Sequence, residues 1–314
     1  MDQGWTGKTY DPGFDVSYRT AEFIRAHPDF PQARRTYIRE VLALYGDDPF
    51  HNKLLMAAAR MVVFAVAICL EAGHREEDRA TWPTVGNLKA ALAMFGLTSP
   101  RRIDHILGRL VQIGYLESRP SPVDGRVRLL RPTERMLDHD QNWLTAHYAP
   151  LACLFGEADY RLPLARNRQF QQVQRGIATG IFMESAMVLL QNPGIMLFLG
   201  RDSGILVLLE VVKASIDEGS ATIPLSLSSL GARFAVSRTH VRQLLLDAQE
   251  QGFVDIDRSH RRIILQPALF ECLDRFIAEG MSNHDRTGAA ALRALDQGAQ
   301  PEDLDQGSRA RRAR

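Results

Sequence analysis

The chain has 314 residues, of which 45% are apolar and 24% charged, and its 38 Lys and Arg against 37 Asp and Glu give a formal net charge of +1. At roughly 150 residues per domain, this length predicts about two domains with a sizeable core. The composition excludes a disordered chain, a collagen-like fibre and a small disulfide-stapled protein. A total charge near zero neither favours nor excludes nucleic acid, because only the local distribution of charge decides that.

The first part of the chain is predicted to be an irregular arm followed by helices. Residues 1–31 are rich in Gly, Asp and aromatic residues and favour the arm. Helical periodicity runs over residues 32–44, and a second helix is predicted over residues 51–72, with Gly73 as its C-cap. The uninterrupted apolar run in that helix, residues 61–70, is too short to cross a bilayer. We expect neither a membrane partner nor a secretion signal, because the chain begins without a basic segment and an apolar core.

Further helices are predicted in the second half. A helix-rich block covers residues 166–191, and another helix covers residues 205–216. From residue 281 onward Gly, Ala, Asp, Gln and Arg dominate, which predicts a disordered tail with a basic end. The predicted organisation is an arm (1–31), a first domain with flanking helices (32–150), connecting helices (151–204), a second domain (205–280) and the tail (281–314).

Residues with catalytic or metal-binding chemistry form no recognisable pattern. The three cysteines lie far apart without a Cys-x-x-Cys pair, which favours a reducing cytoplasm. Cys69 lies within an apolar run and is interpreted as a buried small hydrophobe rather than a redox-sensing thiol. His139, Asp140 and His147 match no standard spacing of metal ligands. We therefore expect no enzyme, no cofactor and no metal.

The most informative feature is an internal repeat, in which residues 84–118 match residues 226–256. Matched pairs are Phe95 with Phe234, Ile103 with Val241, Leu107 with Leu245 and Gly114 with Gly252. The phenylalanines are 139 residues apart and the other pairs 138, so the difference of one residue falls in a turn. Each copy also follows an apolar helix and a short β-like stretch, at residues 81–83 and 222–224. The repeat therefore covers a whole domain.

The second copy predicts a helix-turn-helix followed by the start of a β-wing. Apolar residues at helical spacing are followed by a tight turn, an N-cap at Ser237, a helix over 237–251, and Gly252 before an alternating strand. This order of elements is typical of a winged helix. Candidate DNA-binding residues on the outward side of the helix and on the wing are Ser237, Arg238, Thr239, Arg242, Gln243, Arg261 and Arg262.

The first copy predicts the same order of elements. Its second helix covers residues 99–113 and begins with Ser-Pro, which suits the first helical turn. Asp124-Gly125 marks the tip of a hairpin. Candidate DNA-binding residues here are Ser99, Arg101, Arg102, His105, Arg109, Arg126 and Arg128.

Particular motifs carry a resemblance to a known family. They are Thr98-Ser99 entering a helix, Gly114-Tyr115-Leu116, Asp124-Gly125-Arg126, Leu129 and Thr133. Over residues 51–150 the chain resembles the MarR family of winged-helix transcriptional regulators. The resemblance implies that Arg126 reaches the DNA minor groove or holds the wing in shape. MarR-like proteins are usually single-domain homodimers, so two copies in one chain suggest an internal pseudo-dimer. The second copy resembles winged-helix proteins in general and lacks the Asp-Gly-Arg motif.

Local charge favours a phosphate-facing surface. Residues 97–135 contain eight arginines and four acidic residues, and residues 231–262 contain six arginines and four acidic residues. Both segments are more basic than the whole chain, as contact with a phosphate backbone requires.

These observations predict a mainly α-helical fold with small β-wings, in which tandem winged helix-turn-helix domains are joined by helices. The expected function is that of a sequence-specific, cytoplasmic transcriptional regulator that binds double-stranded DNA through two recognition helices. Two alternatives remain: a plasmid-type replication initiator, and a winged-helix protein-assembly module without DNA readout. A homodimer and a small-molecule effector are left open. The apolar helices at 56–70 and 182–199 are candidates for lining an effector pocket, although core packing explains them more simply.

Overall fold

The computed structural model describes residues 7–45, 55, 57–93, 99–257, 259 and 261–298. Over these residues the chain is mainly helical, with small antiparallel sheets of two or three strands. Several predictions lie outside the described residues: the start of the helix at 51–72, the turn at 94–98, Arg258 and His260 in the second hairpin, and the tail from 299 to 314. In the described part of the chain, no helix is both long and apolar enough to cross a membrane.

From residue 7 onward the N-terminal segment forms regular structure, which corrects the prediction of an irregular arm there. Strands β1 (Lys8–Asp11) and β2 (Val16–Arg19) form an antiparallel hairpin, followed by helix α1 (Ala21–Arg25). The Arg19 amide donates to the Asp285 carboxylate at 2.7 Å, so the hairpin is held by a residue far away in the sequence. The amino-acid composition of the N-terminal segment does not indicate this contact, because the partner lies near the other end of the chain.

The first repeat unit follows α2 (Phe30–Tyr45), which packs along the last helix of the unit. Its elements are α3 (Ala58–Ala72), α4 (Val85–Ala93), α5 (Pro100–Gln112), β3 (Leu116–Pro120), β4 (Arg128–Pro132) and α6 (Glu134–Phe155). A 3-10 turn (Arg79–Thr81) lies between α3 and α4.

Short helices connect the two units. They are a 3-10 turn (Ala158–Tyr160), α7 (Arg161–Leu164), α8 (Arg168–Gly180), α9 (Phe182–Leu190) and α10 (Pro193–Leu199). The helix-rich block predicted over 166–191 is thus two helices, with the break directly after Gly180, a residue type that weakens a helix interior.

The second repeat unit has the same order of helices and hairpin strands, with a strand in place of the 3-10 turn. It comprises α11 (Gly204–Glu218), β5 (Thr222–Pro224), α12 (Leu227–Arg233), α13 (Arg238–Glu250), β6 (Val254–Ile256), β7 (Arg262–Leu265) and α14 (Pro267–Asp296). Strand β7 lies between β5 and β6 in a three-stranded antiparallel sheet.

The repeat predicted from sequence recurs in the backbone. Gly114 and Gly252 both adopt a left-handed conformation, with φ of +73° and +72°, after the second helix of each unit. The next residue donates its amide back to that helix at 2.9 Å in both units, Tyr115 to Leu110 and Phe253 to Ala248. Equivalent residues thus end both helices in the same way.

The units differ in the first strand of the sheet. The β-like stretch predicted at 222–224 is strand β5, but the stretch predicted at 81–83 is not a strand. Instead, a 3-10 turn precedes Pro83, whose carbonyl accepts one hydrogen bond from the Leu130 amide at 2.7 Å. One backbone contact replaces a paired strand in the first unit.

The long helix α14 corrects the prediction of disorder from residue 281, at least as far as Asp296. Its Ala and Gly residues allow close packing. A Cβ atom at Gly288 would lie 2.8 Å from the Tyr148 hydroxyl oxygen, so α14 approaches α6 at a point where only glycine fits. The Tyr148 hydroxyl donates to the His284 carbonyl at 2.9 Å across the same contact. Small residues that resemble a low-complexity tail in the sequence are here a packing surface.

A buried ion pair joins α6 to α8. The Arg175 guanidinium donates to the Asp140 carboxylate through Nε at 3.0 Å and Nη2 at 2.5 Å, and Gln171 Nε2 donates to the same carboxylate at 2.8 Å. Both charged side chains are at least 93% buried. Removing one partner leaves the other charge buried and unpaired, so replacement of either residue should strongly destabilise the fold.

We expect Asp140→Leu and Arg175→Met each to lower the free energy of unfolding by about 3–5 kcal/mol. The double variant should lose less than the sum of the two, because it leaves no unpaired charge. Chemical denaturation of the four proteins measures this coupling. Lys213→Ala, which breaks the exposed Lys213–Asp217 pair, is the control and should cost less than about 0.5 kcal/mol. Additive losses at Asp140 and Arg175 would contradict the assigned coupling.

Two histidines pack between α6 and α14. The rings of His147 and His284 lie 5.3 Å apart, with Trp143 stacked on His147 at 3.7 Å. Burial lowers the pKa of His147 to about 4. Burial also lowers the pKa of His284 well below its ordinary value, helped by the proximity of His147 and Arg175. Both rings are therefore neutral at neutral pH.

These two rings should make the protein less stable in mild acid. The unfolded chain binds protons at both rings below pH 6.5, whereas folded His147 does so only near pH 4. The free energy of unfolding should therefore fall as the pH drops from about 6.5 to 4.5, by about 2 kcal/mol for His147. Urea denaturation at several pH values measures the slope, which His147→Gln should reduce. His105→Gln removes an exposed ring and is the matched control; an equal effect of both variants would contradict the prediction.

Candidate nucleic-acid interface

Helix α5 presents an apolar and a basic face, as the sequence predicts. Ser99 caps it, with its hydroxyl accepting from the Arg102 amide at 3.3 Å. Residues Ile103, Ile106, Leu107 and Leu110 are buried, which turns the opposite face of the helix to solvent. The exposed predicted residues on α5 and its cap are Ser99, Arg101, Arg102, His105 and Arg109.

The charges at the start of α5 are not neutralised. In the described part of the chain, the guanidinium groups of Arg101 and Arg102 have no ion pair and no hydrogen bond. Asp104, the acidic residue next to them, is paired with Lys89 at 2.6 Å. Arg109, further along, is held by Gln112 at 2.8 Å. The two arginines of the first turn are thus the ones available to an anionic ligand.

Helix α13 repeats this arrangement. Ser237 caps it by accepting from the His240 amide at 3.0 Å, and Val241, Leu244, Leu245 and Ala248 are buried. Arg238, Thr239, Arg242 and Gln243 are exposed. Among the described residues, Arg238 and Arg242 have no ion-pair partner, whereas Gln243 donates to Asp247 at 2.7 Å. The first turns of α13 therefore also carry two unneutralised arginines.

A residue outside the predicted set anchors α13. His240 Nε2 donates to the Asp202 carbonyl at 2.9 Å, which ties the start of the helix to the loop before α11. Asp247, near its other end, pairs with Arg201 from the same loop. Sequence reasoning missed these positioning contacts because their partners lie about forty residues earlier in the chain.

The hairpin between β3 and β4 is organised by Asp124. Its carboxylate accepts from the Arg126 amide at 3.2 Å and pairs with Arg79 at 2.9 Å. The Arg126 side chain is exposed, and no ion pair to it is found within the described residues. Arg128 instead donates to Ser118 on the neighbouring strand, with Nε at 3.2 Å from the hydroxyl oxygen. Of the two predicted hairpin arginines, Arg126 is thus the available one.

Asp257 plays a similar part in the second hairpin. Its carboxylate accepts from the amides of Arg261 at 2.7 Å and Arg262 at 3.0 Å. Both arginine side chains are exposed, and in the described residues neither guanidinium group has an ion pair. The amides of Arg261 and Arg262 are therefore held by Asp257 while their guanidinium groups stay exposed.

Some of the basic excess counted in the first unit serves the fold. Arg131 pairs with Glu71, Arg119 pairs with Glu117 at 2.7 Å, and Arg135 donates to the Ile113 carbonyl at the end of α5 at 2.9 Å. Of these partners, only Glu71 lies outside residues 97–135 and carries a charge that offsets the excess counted there. Within the described residues, the arginines that remain without an ion pair are concentrated at the start of each helix and at the hairpins.

Other residues weighed in the sequence have structural surroundings. Cys69 is fully buried, and burial raises the pKa of its thiol to about 12, which opposes reactivity. His139 lies 3.3 Å from the Tyr45 hydroxyl, whereas Asp140 binds Arg175. Among the described residues no three His, Cys, Asp or Glu side chains are grouped in a way that could hold a metal ion.

Comparisons of the chain with models of protein families, with curated proteins and with solved structures find no match. The resemblance to the MarR family therefore stays a prediction from sequence.

The role of Asp124 is open to a direct test. Asp124→Ala removes the support of the Arg126 amide and the pair with Arg79, so backbone amides of residues 122–127 should exchange with solvent about tenfold faster. The free energy of unfolding should change by less than about 1 kcal/mol, since the pair is at the surface. Hydrogen-exchange mass spectrometry measures both hairpins at once, and the second hairpin is the internal control. Unchanged exchange at 122–127 would show that Asp124 does not hold the hairpin.

Proposed function

We propose that the protein is a sequence-specific DNA-binding transcriptional regulator, with two winged helix-turn-helix units that use α5 and α13 as recognition helices. The observation that carries this proposal is the placement of unpaired arginines. Seven of them lie on the first turns of α5 and α13 and on the hairpin that follows each helix: Arg101, Arg102, Arg126, Arg238, Arg242, Arg261 and Arg262. Elsewhere buried or partly buried arginines are mostly paired, as Arg19, Arg34 and Arg175 are.

The chemistry of these groups suits duplex DNA. A guanidinium fork binds a phosphate, or the O6 and N7 atoms of guanine, through two hydrogen bonds. A recognition helix reads base edges in the major groove with its N-terminal residues, and a wing reaches the adjacent backbone or minor groove. An uncharged or cationic partner would gain little from seven exposed cations.

The two helices read different sequences in this proposal. Arg101, Arg102 and His105 stand on α5, whereas Arg238, Thr239 and Arg242 stand on α13. An internal pseudo-dimer with unlike recognition helices should select an asymmetric operator, with half-sites about 34 Å apart. Contact between α6 and α14, the helices that follow the two hairpins, supports the pseudo-dimer arrangement.

The proposal is tested by selection from a random-sequence duplex library at two salt concentrations. We expect one defined, asymmetric motif. Arg101→Ala/Arg102→Ala and Arg238→Ala/Arg242→Ala should each relax a different half of it. For every phosphate that a variant no longer neutralises, the slope of log affinity against log salt concentration should become shallower by about 0.9.

The matched control is Arg35→Ala/Arg161→Ala, which removes two exposed arginines outside both units and should leave the motif intact. Motif-free binding with a steep salt dependence would contradict sequence-specific readout. Selection of iterated direct repeats would favour a replication initiator. Absence of DNA binding by folded protein would favour a protein-assembly module.

A further inference from the structure

A large cavity lies where the two units meet. It has a volume of about 680 Å³, and its walls come mainly from α14 of the second unit, from residues 18–22, α2 and α9, and from α3 and α6 of the first unit. The volume falls within the range of small-molecule sites, about 300–1,000 Å³, and far exceeds the voids left by imperfect packing. Most of the exposed lining is apolar, from side chains such as Tyr37, Val41, Met61 and Phe276.

One part of the lining is an aromatic ring with free acceptor capacity. His147 Nδ1 lies 2.8 Å from the Trp143 carbonyl, which only accepts, so Nδ1 carries the proton and Nε2 is an acceptor. His284 beside it is 94% buried, and its Nδ1 is closed off from the cavity by its neighbours. The acceptor that a ligand can reach is therefore Nε2 of His147. A neutral imidazole at this place favours a ligand that brings an N–H or O–H donor.

The charged lining residues disfavour an anion. Both arginines of the cavity are already bound by carboxylates: Arg275 Nε by Glu279 at 2.7 Å, and Arg286 Nη1 by Glu184 at 2.5 Å. Arg286 also donates to Asp11 at 2.7 Å. Glu22 adds a further carboxylate, so acidic groups outnumber basic groups around the cavity. The field therefore favours a neutral or positively charged ligand.

We propose that this cavity binds a neutral or cationic aromatic small molecule with an N–H or O–H group that donates to Nε2 of the His147 imidazole. The apolar walls hold the ring system, the imidazole orients it, and the lining carboxylates select its charge. The binding site is inferred from the cavity alone and does not depend on the proposed function. Its effect on DNA affinity rests on the proposed function: a ligand between α6 and α14 changes how the helices that follow the two hairpins pack.

Gly280 provides a sharp test, because it lines the cavity from α14 and a Cβ built there meets no atom within 4 Å. Gly280→Leu should occupy part of the cavity and obstruct a ligand there without disturbing the helix, since leucine has a higher helix propensity than glycine. The matched control is Gly108→Leu, the same change on α5 at another glycine with open space, outside the cavity.

Three aromatic dyes, each with an N–H group, act as probes on the DNA-free protein: rhodamine 6G (cationic), 7-amino-4-methylcoumarin (neutral) and 8-anilinonaphthalene-1-sulfonate (anionic). We expect saturable binding of the first two by fluorescence anisotropy, with quenching of Trp143 that disappears in Trp143→Phe. The anionic dye should bind at least about tenfold more weakly. Gly280→Leu should weaken binding of rhodamine 6G at least about tenfold, and Gly108→Leu should leave it unchanged.

Three results would each overturn the site: no saturable binding of the first two dyes, preference for the anionic dye, or binding that Gly280→Leu does not weaken. The effect on DNA is measured separately, as the change in affinity for the selected motif when rhodamine 6G is present. If the protein binds the dye in a way that depends on Gly280 but does not bind DNA, the site is supported and the proposed function is rejected. If the protein binds DNA but not the dye, the proposed function is supported and the site is rejected.

Discussion

The contact between α6 and α14 is the constraint on which the rest of the structure depends. Each of these helices directly follows the hairpin of its own repeat unit, so the packing of one on the other sets where both units lie. Gly288 leaves room for the Tyr148 ring, and the Tyr148 hydroxyl pairs with the His284 carbonyl. The same helices carry the rings that line the central cavity. Placement of the two units and the shape of the cavity are therefore consequences of one interface.

The distribution of ion pairs explains why a chain with a net charge of +1 has exposed, unpaired arginines at the starts of α5 and α13 and on both hairpins. Acidic residues pair with arginines that hold the fold together, such as Asp285 with Arg19, Glu71 with Arg131 and Asp140 with Arg175. The arginines at the helix starts and on the hairpins are left without acidic partners in the part of the chain that the structure describes. Charge separation of this kind arises from pairing within the fold and does not need an excess of arginine in the composition.

The sequence predicts the local elements of each unit closely. Helices expected over 99–113 and 237–251 are observed at Pro100–Gln112 and Arg238–Glu250. Their signals are local: a serine cap, apolar residues every three or four positions, and a glycine that requires a positive φ. The exposed side of each helix follows from the buried side, so most candidate site residues could also be predicted.

What could not be predicted depends on contacts between distant parts of the chain. The N-terminal hairpin is held by Asp285, and the Ala- and Gly-rich end of α14 is helical because it packs on Tyr148. Which arginines stay available also depends on distant partners, since Glu71 lies 60 residues from Arg131. The cavity between the units is assembled from several helices and has no signature in any one of them.

That both units lie in one polypeptide has a consequence for dose response. Two separate subunits must associate before they grip DNA together, so their occupancy of a site depends on the square of their concentration when they are dilute. Here the second unit is always present at the effective concentration set by the shared core. Under the proposed function, occupancy by a single copy of this chain follows the first power of its abundance, and no partner subunit can be exchanged for another. Either unit is also free to change its recognition residues without altering the other.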